Sequence, residues 1–343
     1  MSPLIWSVLI SSLSTSTIIT MSSYHWLAAW VGLELNTLSM LPIIMLPHHP
    51  RATEAATKYF LIQTLAAALI MFASTLNAWQ TGQWSITNTT IPLATTMITI
   101  ALLLKLGLAP IHAWYPEVLQ GSTLITALVL STWQKLAPLA LLYLMNDLPN
   151  KMILIMGALS IIVGGWAGLN QTQTRKIMAF SSIAHMGWLI IALNMNLSIT
   201  TATFTIYTIM TTAMFTSLIT LSTKTFTDLG VAWSQAPGMT TVMLTTLLSL
   251  GGLPPLSGFM PKWLILTSLC HTKLLPLSVL ITAATLPSLF FYARMAYLTT
   301  LTTPPNTTPT QHKWRHKTQT PQLLTPVITA AALLLPLTPM MIT

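Results

Sequence analysis

Charge is what this sequence has least of. Its 343 residues carry 14 Lys plus Arg and 5 Asp plus Glu, 6% charged, where soluble domains carry ~25%. So few charges cannot cover the surface of a water-soluble protein of this length, which excludes a cytosolic enzyme. Cysteine is almost missing as well. Cys270 stands alone, so no intrachain disulfide, cysteine-held cluster or cysteine zinc site is expected. The net charge is +9, but the basic residues stand singly between apolar runs. The one basic cluster, His312-Lys313-Trp314-Arg315-His316-Lys317, is short, so no nucleic-acid partner is expected. No Arg-rich, Ser-rich presequence precedes the first apolar run. No glycine pattern of a nucleotide-binding loop occurs in strand–turn–helix context.

What fills the chain instead is apolar: 53% hydrophobic, with mean hydropathy +0.70. A spanning helix needs about 20 mostly apolar residues. Eleven such runs are present, at roughly 3–20, 24–46, 55–78, 91–120, 124–145, 152–170, 175–195, 199–222, 240–270, 275–300 and 323–341. They do not alternate polar and apolar residues, so they are helices and not barrel strands. The expectation is an all-α polytopic membrane protein, a single transmembrane domain over 1–343 with short connections. The longer connections are 223–239 and 301–322. The latter holds Pro304, Pro305, Pro309 and Pro321 and is expected as an exposed loop before the C-terminal helix.

If the runs alternate sides, Arg51, Lys58, Arg175, Lys176, Lys224, Arg294, Lys313, Arg315 and Lys317 share the side of the N-terminus. Lys151 and Lys273 fall opposite. The positive-inside rule then puts the N-terminus inside and, after an odd number of spans, the C-terminus outside.

Two runs are interrupted. One reads Lys105-Leu-Gly-Leu-Ala-Pro110-Ile-His112-Ala-Trp-Tyr-Pro116, the other Gly251-Gly-Leu-Pro-Pro255-Leu-Ser-Gly-Phe-Met-Pro261-Lys262. Both place prolines six apart with an aromatic residue two before the second. The offset is constant (255 − 110 = 261 − 116 = 145). An internal repeat follows, with five-helix copies over 3–145 and 152–300. An odd number of helices per copy inverts the second copy in the membrane. Each copy then carries one broken helix, the pattern that marks a midplane pathway in transporters.

Four ionisable residues sit within these runs. Glu34 is about ten residues into its run, roughly 15 Å deep. Lys135 is equally central, on what is expected to be an unbroken helix. Lys105 precedes one break and Lys262 follows the other. Each such charge costs ~2.5–3.5 kcal/mol on insertion scales, which points to function. Structural alternatives are a buried ion pair and snorkelling to the interface, which suits Lys262 best. Desolvation favours a neutral lysine and a nearby carboxylate favours a charged one. A unit pair at ~4 Å and effective dielectric ~20 is worth about 4 kcal/mol. Moving Glu34 relative to a buried lysine would therefore load or unload it with a proton. His112 and His185 lie near these stations, and imidazole relays protons between its two nitrogens. Glu54 and Lys58, four apart, are an ordinary helix pair. Gly164, Gly165 and Gly168 are expected to allow close helix contact.

Several stretches together resemble a known family. They are Gly32-Leu-Glu34-Leu-Asn36, Ala52-Thr-Glu-Ala-Ala-Thr-Lys58-Tyr-Phe, the two interrupted runs, and Gly168-Leu-Asn-Gln-Thr-Gln-Thr-Arg-Lys-Ile-Met-Ala-Phe-Ser-Ser-Ile-Ala-His185-Met-Gly. In that order, over nearly the whole chain, they resemble the antiporter-like subunits of respiratory complex I. The resemblance implies a proton-pumping subunit of the membrane arm of an NADH:ubiquinone oxidoreductase, in the mitochondrial inner membrane. It puts the N-terminus in the matrix and the C-terminus in the intermembrane space. It implies no redox cofactor in this chain, with NADH, FMN, iron–sulfur clusters and ubiquinone in other subunits. Membrane-arm and accessory subunits, and lipid such as cardiolipin, are the implied partners. It pairs Glu34 with Lys105, makes Lys135 the central lysine and Lys262 the lysine at the second break. It puts His112 and His185 on the pathway. The chain starts about three helices later than longer bacterial-type members.

Two other readings compete. A stand-alone cation/proton antiporter would carry a denser acidic cation site, whereas only Glu34 is deep here. A structural scaffold of the membrane arm would need no titrating lysine.

Overall fold

The computed structural model describes residues 3–301 and 324–342. Nearly all of them are helical. The order is α1 Pro3–Ser22, α2 Trp26–Met45, α3 Pro50–Thr81, α4 Pro92–Leu106, α5 Trp114–Gly121, α6 Leu124–Ser131 and a 3₁₀ turn Trp133–Lys135. Then come α7 Leu136–Leu144, α8 Asn150–Gly168, α9 Thr174–Met195, α10 Leu197–Leu221, α11 Phe226–Gln235, α12 Pro237–Gly251, α13 Phe259–His271 and α14 Leu275–Leu301. After the undescribed stretch follow α15 Leu324–Leu333, a 3₁₀ turn Leu335–Leu337 and α16 Thr338–Ile342. No strand occurs among the described residues, only the isolated bridges His25–Ser85 and Gln173–Thr225.

Among the described residues eight helices, counting Leu124–Leu144 as one, are long and apolar enough to cross a membrane. The two interrupted runs and the C-terminal run complete the expected set. Helix hydroxyls such as those of Thr99, Ser181, Thr203 and Thr246 donate to carbonyls three residues back. The threonine-rich helices thus satisfy their own polar groups, as an apolar medium requires.

The two breaks have the same anatomy. Both α4 and α12 begin on a proline and end on a left-handed glycine, Gly107 and Gly252, each with φ +76. Gly107 N–H donates to Leu104 and Leu108 N–H to Leu103. Gly252 and Leu253 do the same to Ser249 and Leu248. This double bond pattern closes a helix on a residue that needs positive φ, and the prolines that follow stop the chain from resuming it. Helix boundaries keep the offset of the motif: Pro92 and Pro237, Leu106 and Gly251, Trp114 and Phe259 (237 − 92 = 251 − 106 = 259 − 114 = 145).

Two expectations are corrected, at Lys135 and in the C-terminal run. The run holding Lys135 is not an unbroken helix: α6 ends, and a 3₁₀ turn carries Trp133–Lys135 before α7 resumes. Pro138 has no N–H to give the Gln134 carbonyl and its ring crowds that carbonyl. The Thr132 hydroxyl also bonds back to Leu128 O at 2.8 Å, which bends helices. The 223–239 connection contains a helix, because Thr225 and Asp228 form a capping box that starts α11, and Leu229 and Ala232 bury beneath it. The C-terminal run is split by Pro336, at the start of its 3₁₀ turn. The 301–322 loop, but for its first residue, and the His312–Lys317 cluster lie outside the described residues.

By contacts the chain forms two compact units, Met1–Met156 and Gly157–Thr343. In the first, α3 packs on α2, α4 and α5, and α1 packs on α2 and α7. In the second, α10 packs on α9, α12 and α15. The glycines of α8 serve as expected. A Cβ on Gly164 would lie 2.8 Å from Ala184 N, and one on Gly168 2.8 Å from the Phe291 ring.

Candidate functional site

In the first unit, α2 carries Glu34, α4 carries Lys105 in its last turn, and the 3₁₀ turn carries Lys135. Each break sets its lysine at the end of a helical segment. Lys105 is 7% exposed and Lys135 3%. The Lys105 Nζ is buried and finds no hydrogen-bond partner among the described residues. The Lys135 Nζ lies over the Tyr115 ring, 5.1 Å from its centre, a cation–π contact. Tyr115 is held there by the break itself, since a Cβ on Gly107 would touch its Cβ and Cγ at 3.3 Å.

One cavity joins the two lysines. It is lined by Asn36, Tyr59, Gln63, Lys105, Tyr115, Gln134 and Lys135, among others, and offers about 20 Å³ to water. A water needs roughly 10–15 Å³ and two to four polar partners. The lining amides, hydroxyls and ammonium groups meet both conditions. The cavity thus has space for about one water among groups that can hydrogen-bond it, with Lys105 and Lys135 both on its lining.

Glu34 is half-buried at the side of this cavity. Its Oε2 accepts from the Thr37 hydroxyl at 3.0 Å, and Thr37 lines the cavity. Glu34 forms no ion pair with Lys105, whose ammonium lies on the wall of the cavity that Thr37 also lines. A second polar link crosses the site: Gln134 Nε2 donates to Asn36 Oδ1 at 3.0 Å.

His112 sits inside the first break. Its Nδ1 donates to the Pro110 carbonyl at 3.1 Å, so Nδ1 carries a proton and Nε2 is the nitrogen left for relay. It does not line the cavity between the lysines.

In the second unit, Lys262 turns back on the break instead of extending away from it. Its Nζ donates to Gly251 O at 2.7 Å, at the carbonyl end of α12 where cations are favoured. His185, on α9, lies near the same helix end: Tyr292 OH is 3.4 Å from His185 Nε2, and the Tyr292 ring is 4.0 Å from a Cβ built on Gly251. Tyr207 stacks obliquely on His185 at 5.9 Å.

Lys58 lies elsewhere in the first unit. It bonds Glu54 at 2.5 Å, as expected, and also Glu117 of α5 at 2.6 Å. Asn36, Tyr59, Gln63, Tyr115 and Gln134 had not been singled out from the sequence. Their signal was polarity deep in apolar runs, with Asn36 two residues from Glu34 and Gln134 beside Lys135.

The family described as NADH:quinone oxidoreductase/Mrp antiporter, transmembrane, matches residues 23–288. NADH dehydrogenase subunit 2 C-terminus matches residues 289–342. NADH-ubiquinone oxidoreductase chain 2 of Tetraodon nigroviridis is 50% identical, over 100% of this chain and 99% of that one. The protein of the same name in Xenopus laevis is 48% identical over 100% of both. Among solved structures, a chain of respiratory complex I from Thermus thermophilus with bound Aureothin superposes with TM-score 0.84 at 26% identity, covering 96% of this chain and 77% of that one. A chain of the Mrp complex from a Dietzia species shares the fold, with TM-score 0.81 at 14% identity over 97% and 74%.

Proposed function

The chain belongs to the NADH:quinone oxidoreductase/Mrp antiporter family, and from that membership we propose which of its residues carry protons. It is an antiporter-like, proton-translocating membrane subunit of respiratory complex I, whose other subunits are its partners. The relay consists of Glu34, Lys105, Lys135 and Lys262, with His112 and His185 on the pathway. The observation that carries this reading is the water-sized polar cavity with Lys105 at one wall and Lys135 at another.

Glu34 is the modulator. When Glu34 closes to contact with Lys105, that lysine holds its proton. Drawing Glu34 away frees the proton to cross the cavity to Lys135. One charge moved against 100 mV costs ~2.3 kcal/mol, and a Glu34–Lys105 pair closed to contact at effective dielectric ~20 would be worth about 4 kcal/mol. The switch is therefore large enough to do the work. The work itself comes from oxidation of NADH and reduction of ubiquinone in other subunits, which also hold FMN and the iron–sulfur clusters. This chain adds no redox centre.

The repeats run over 3–145 and 152–300, and the common 145-residue offset of their helix ends supports this. The chain spans the mitochondrial inner membrane with the N-terminus in the matrix and the C-terminus in the intermembrane space. Nine of the eleven assignable basic residues fall on the N-terminal side, which supports that orientation. Basic residues of that face meet anionic lipid such as cardiolipin.

Glu34→Gln tests the relay. The complex is expected to assemble and to be slowed or uncoupled. Normal quinone reduction together with normal pumping in that variant would remove Glu34 from the mechanism.

A further inference from the structure

Relay residues on separate helices must respond to one another, and a side-chain hydrogen bond joins the segments that carry two of them. Gln134 Nε2 donates to Asn36 Oδ1 at 3.0 Å, across 98 residues of sequence. Asn36 is 3% exposed, and both amides line the cavity between Lys105 and Lys135. Each amide is the close neighbour of a relay residue. Asn36 is two positions from Glu34 on helix α2, and Gln134 directly precedes Lys135.

The turn at Lys135 is where such a link has most effect. Gln134 lies in the 3₁₀ turn, and Pro138 removes the N–H that would have tied its carbonyl into a regular helix. A 3₁₀ stretch within a helix is a common hinge. The side-chain amide of Gln134 holds this turn to α2 from outside the helical ladder. A buried amide does not give up its partner lightly, because the group left behind stays desolvated. A displacement of α2 that moves Glu34 therefore pulls Gln134, and with it the backbone of Lys135 over the Tyr115 ring.

We propose that Asn36 and Gln134 are positioning residues that couple the place of Glu34 to the place of Lys135, so that the two ends of the cavity switch together. This rests on the relay reading above. Neither amide transfers the proton. Their hydrogen bond keeps Lys135 in register with the helix that carries the modulator.

The test uses the assembled complex in closed vesicles. It follows proton uptake during NADH oxidation, the reductase rate with uncoupler present, and complex content. Gln134→Asn shortens the link by one methylene. It is expected to lower coupled proton translocation by about fivefold or more, the lower end of ordinary site-to-site coupling, at parental complex content. Asn36→Gln in the same chain returns the missing methylene and is expected to restore translocation to within about twofold of parental, since neighbours that act as a pair are non-additive. In a Glu34→Gln background, Gln134→Asn is expected to add no further loss. Parental translocation by Gln134→Asn would overturn the inference. So would fully additive loss with Glu34→Gln, or an exchanged pair that assembles but does not translocate. If Gln134→Asn alone fails to assemble, the exchanged pair still decides between these outcomes. Parental translocation by Glu34→Gln alone would instead overturn the relay reading, so the two failures are distinguishable.

Discussion

Lys262 Nζ lies 2.7 Å from the carbonyl oxygen of Gly251, the last residue of the half-helix before the second break. The next residue makes room for it. A Cβ on Gly252 would stand 2.7 Å from that Nζ, and Gly252 itself has φ +76.

Gly252→Ala is therefore expected to displace Lys262 without removing it. The left-handed backbone alone costs an L-residue about 1–2 kcal/mol. Proton translocation should fall, and adding Lys262→Met should make it little worse. Gly238→Ala on the same helix is the control, because a Cβ there meets nothing within 4 Å. Equal translocation by the two alanine variants would show that the position of Lys262 does not matter.

The junction of α5 with α3 has two supports of different strength. Lys58 and Glu117 are ion-paired but exposed, so the pair contributes little and salt screens it. Gly121 is another matter, since a Cβ there would lie 2.6 Å from Ala55 Cβ and from Arg51 O. Overpacking of this kind costs about 1–3 kcal/mol. Native gels should show near-parental amounts of assembled complex for Glu117→Gln and clearly less for Gly121→Val. The reverse order would refute the packing argument.

Helix α11 begins at the Thr225–Asp228 capping box. Burial pushes the Asp228 carboxyl up, but the N–H groups of Lys224 and Thr225 and the Thr225 hydroxyl outweigh it and hold the pKa below its ordinary value. A depressed carboxylate stabilises above its unfolded pKa of ~3.9 and loses that stability as the pH falls through its folded value. Asp228→Ala should loosen α11 by about 1 kcal/mol or less at neutral pH, seen as faster amide exchange over Phe226–Gln235. In the parent protein, exchange over these residues should quicken only below the usual carboxylate range. Unchanged exchange in the variant would mean that α14, which packs on α11, holds the helix by itself.

Much of this was legible in the residues because prolines, glycines and charges act locally or are costly in lipid. Pro110, Pro116, Pro255 and Pro261 located both breaks, and Glu34, Lys105, Lys135 and Lys262 stood out as ionisable residues in apolar runs. The 3₁₀ turn at Lys135 was missed although its cause, Pro138, was in plain view three residues on. One proline inside an apolar run does not say whether the helix kinks, tightens or stops. The Asn36–Gln134 and Lys58–Glu117 contacts join positions 98 and 59 residues apart, and no local pattern encodes such pairs. The inward turn of Lys262 was missed for another reason. The open carbonyl end of α12 competes with the membrane interface for the same ammonium, and the sequence does not show which is nearer.

We propose that Lys135 holds the proton between transfers, and proton translocation by assembled complex carrying Lys135→Arg tests this most directly. Arginine keeps the positive charge at every physiological pH, so it preserves the electrostatics of the cavity but cannot release a proton. With complex content at the parental level, Lys135→Arg is predicted to lose translocation almost as fully as Lys135→Met. Translocation by Lys135→Arg at the parental rate would contradict this, and would make Lys135 a fixed charge and not a carrier.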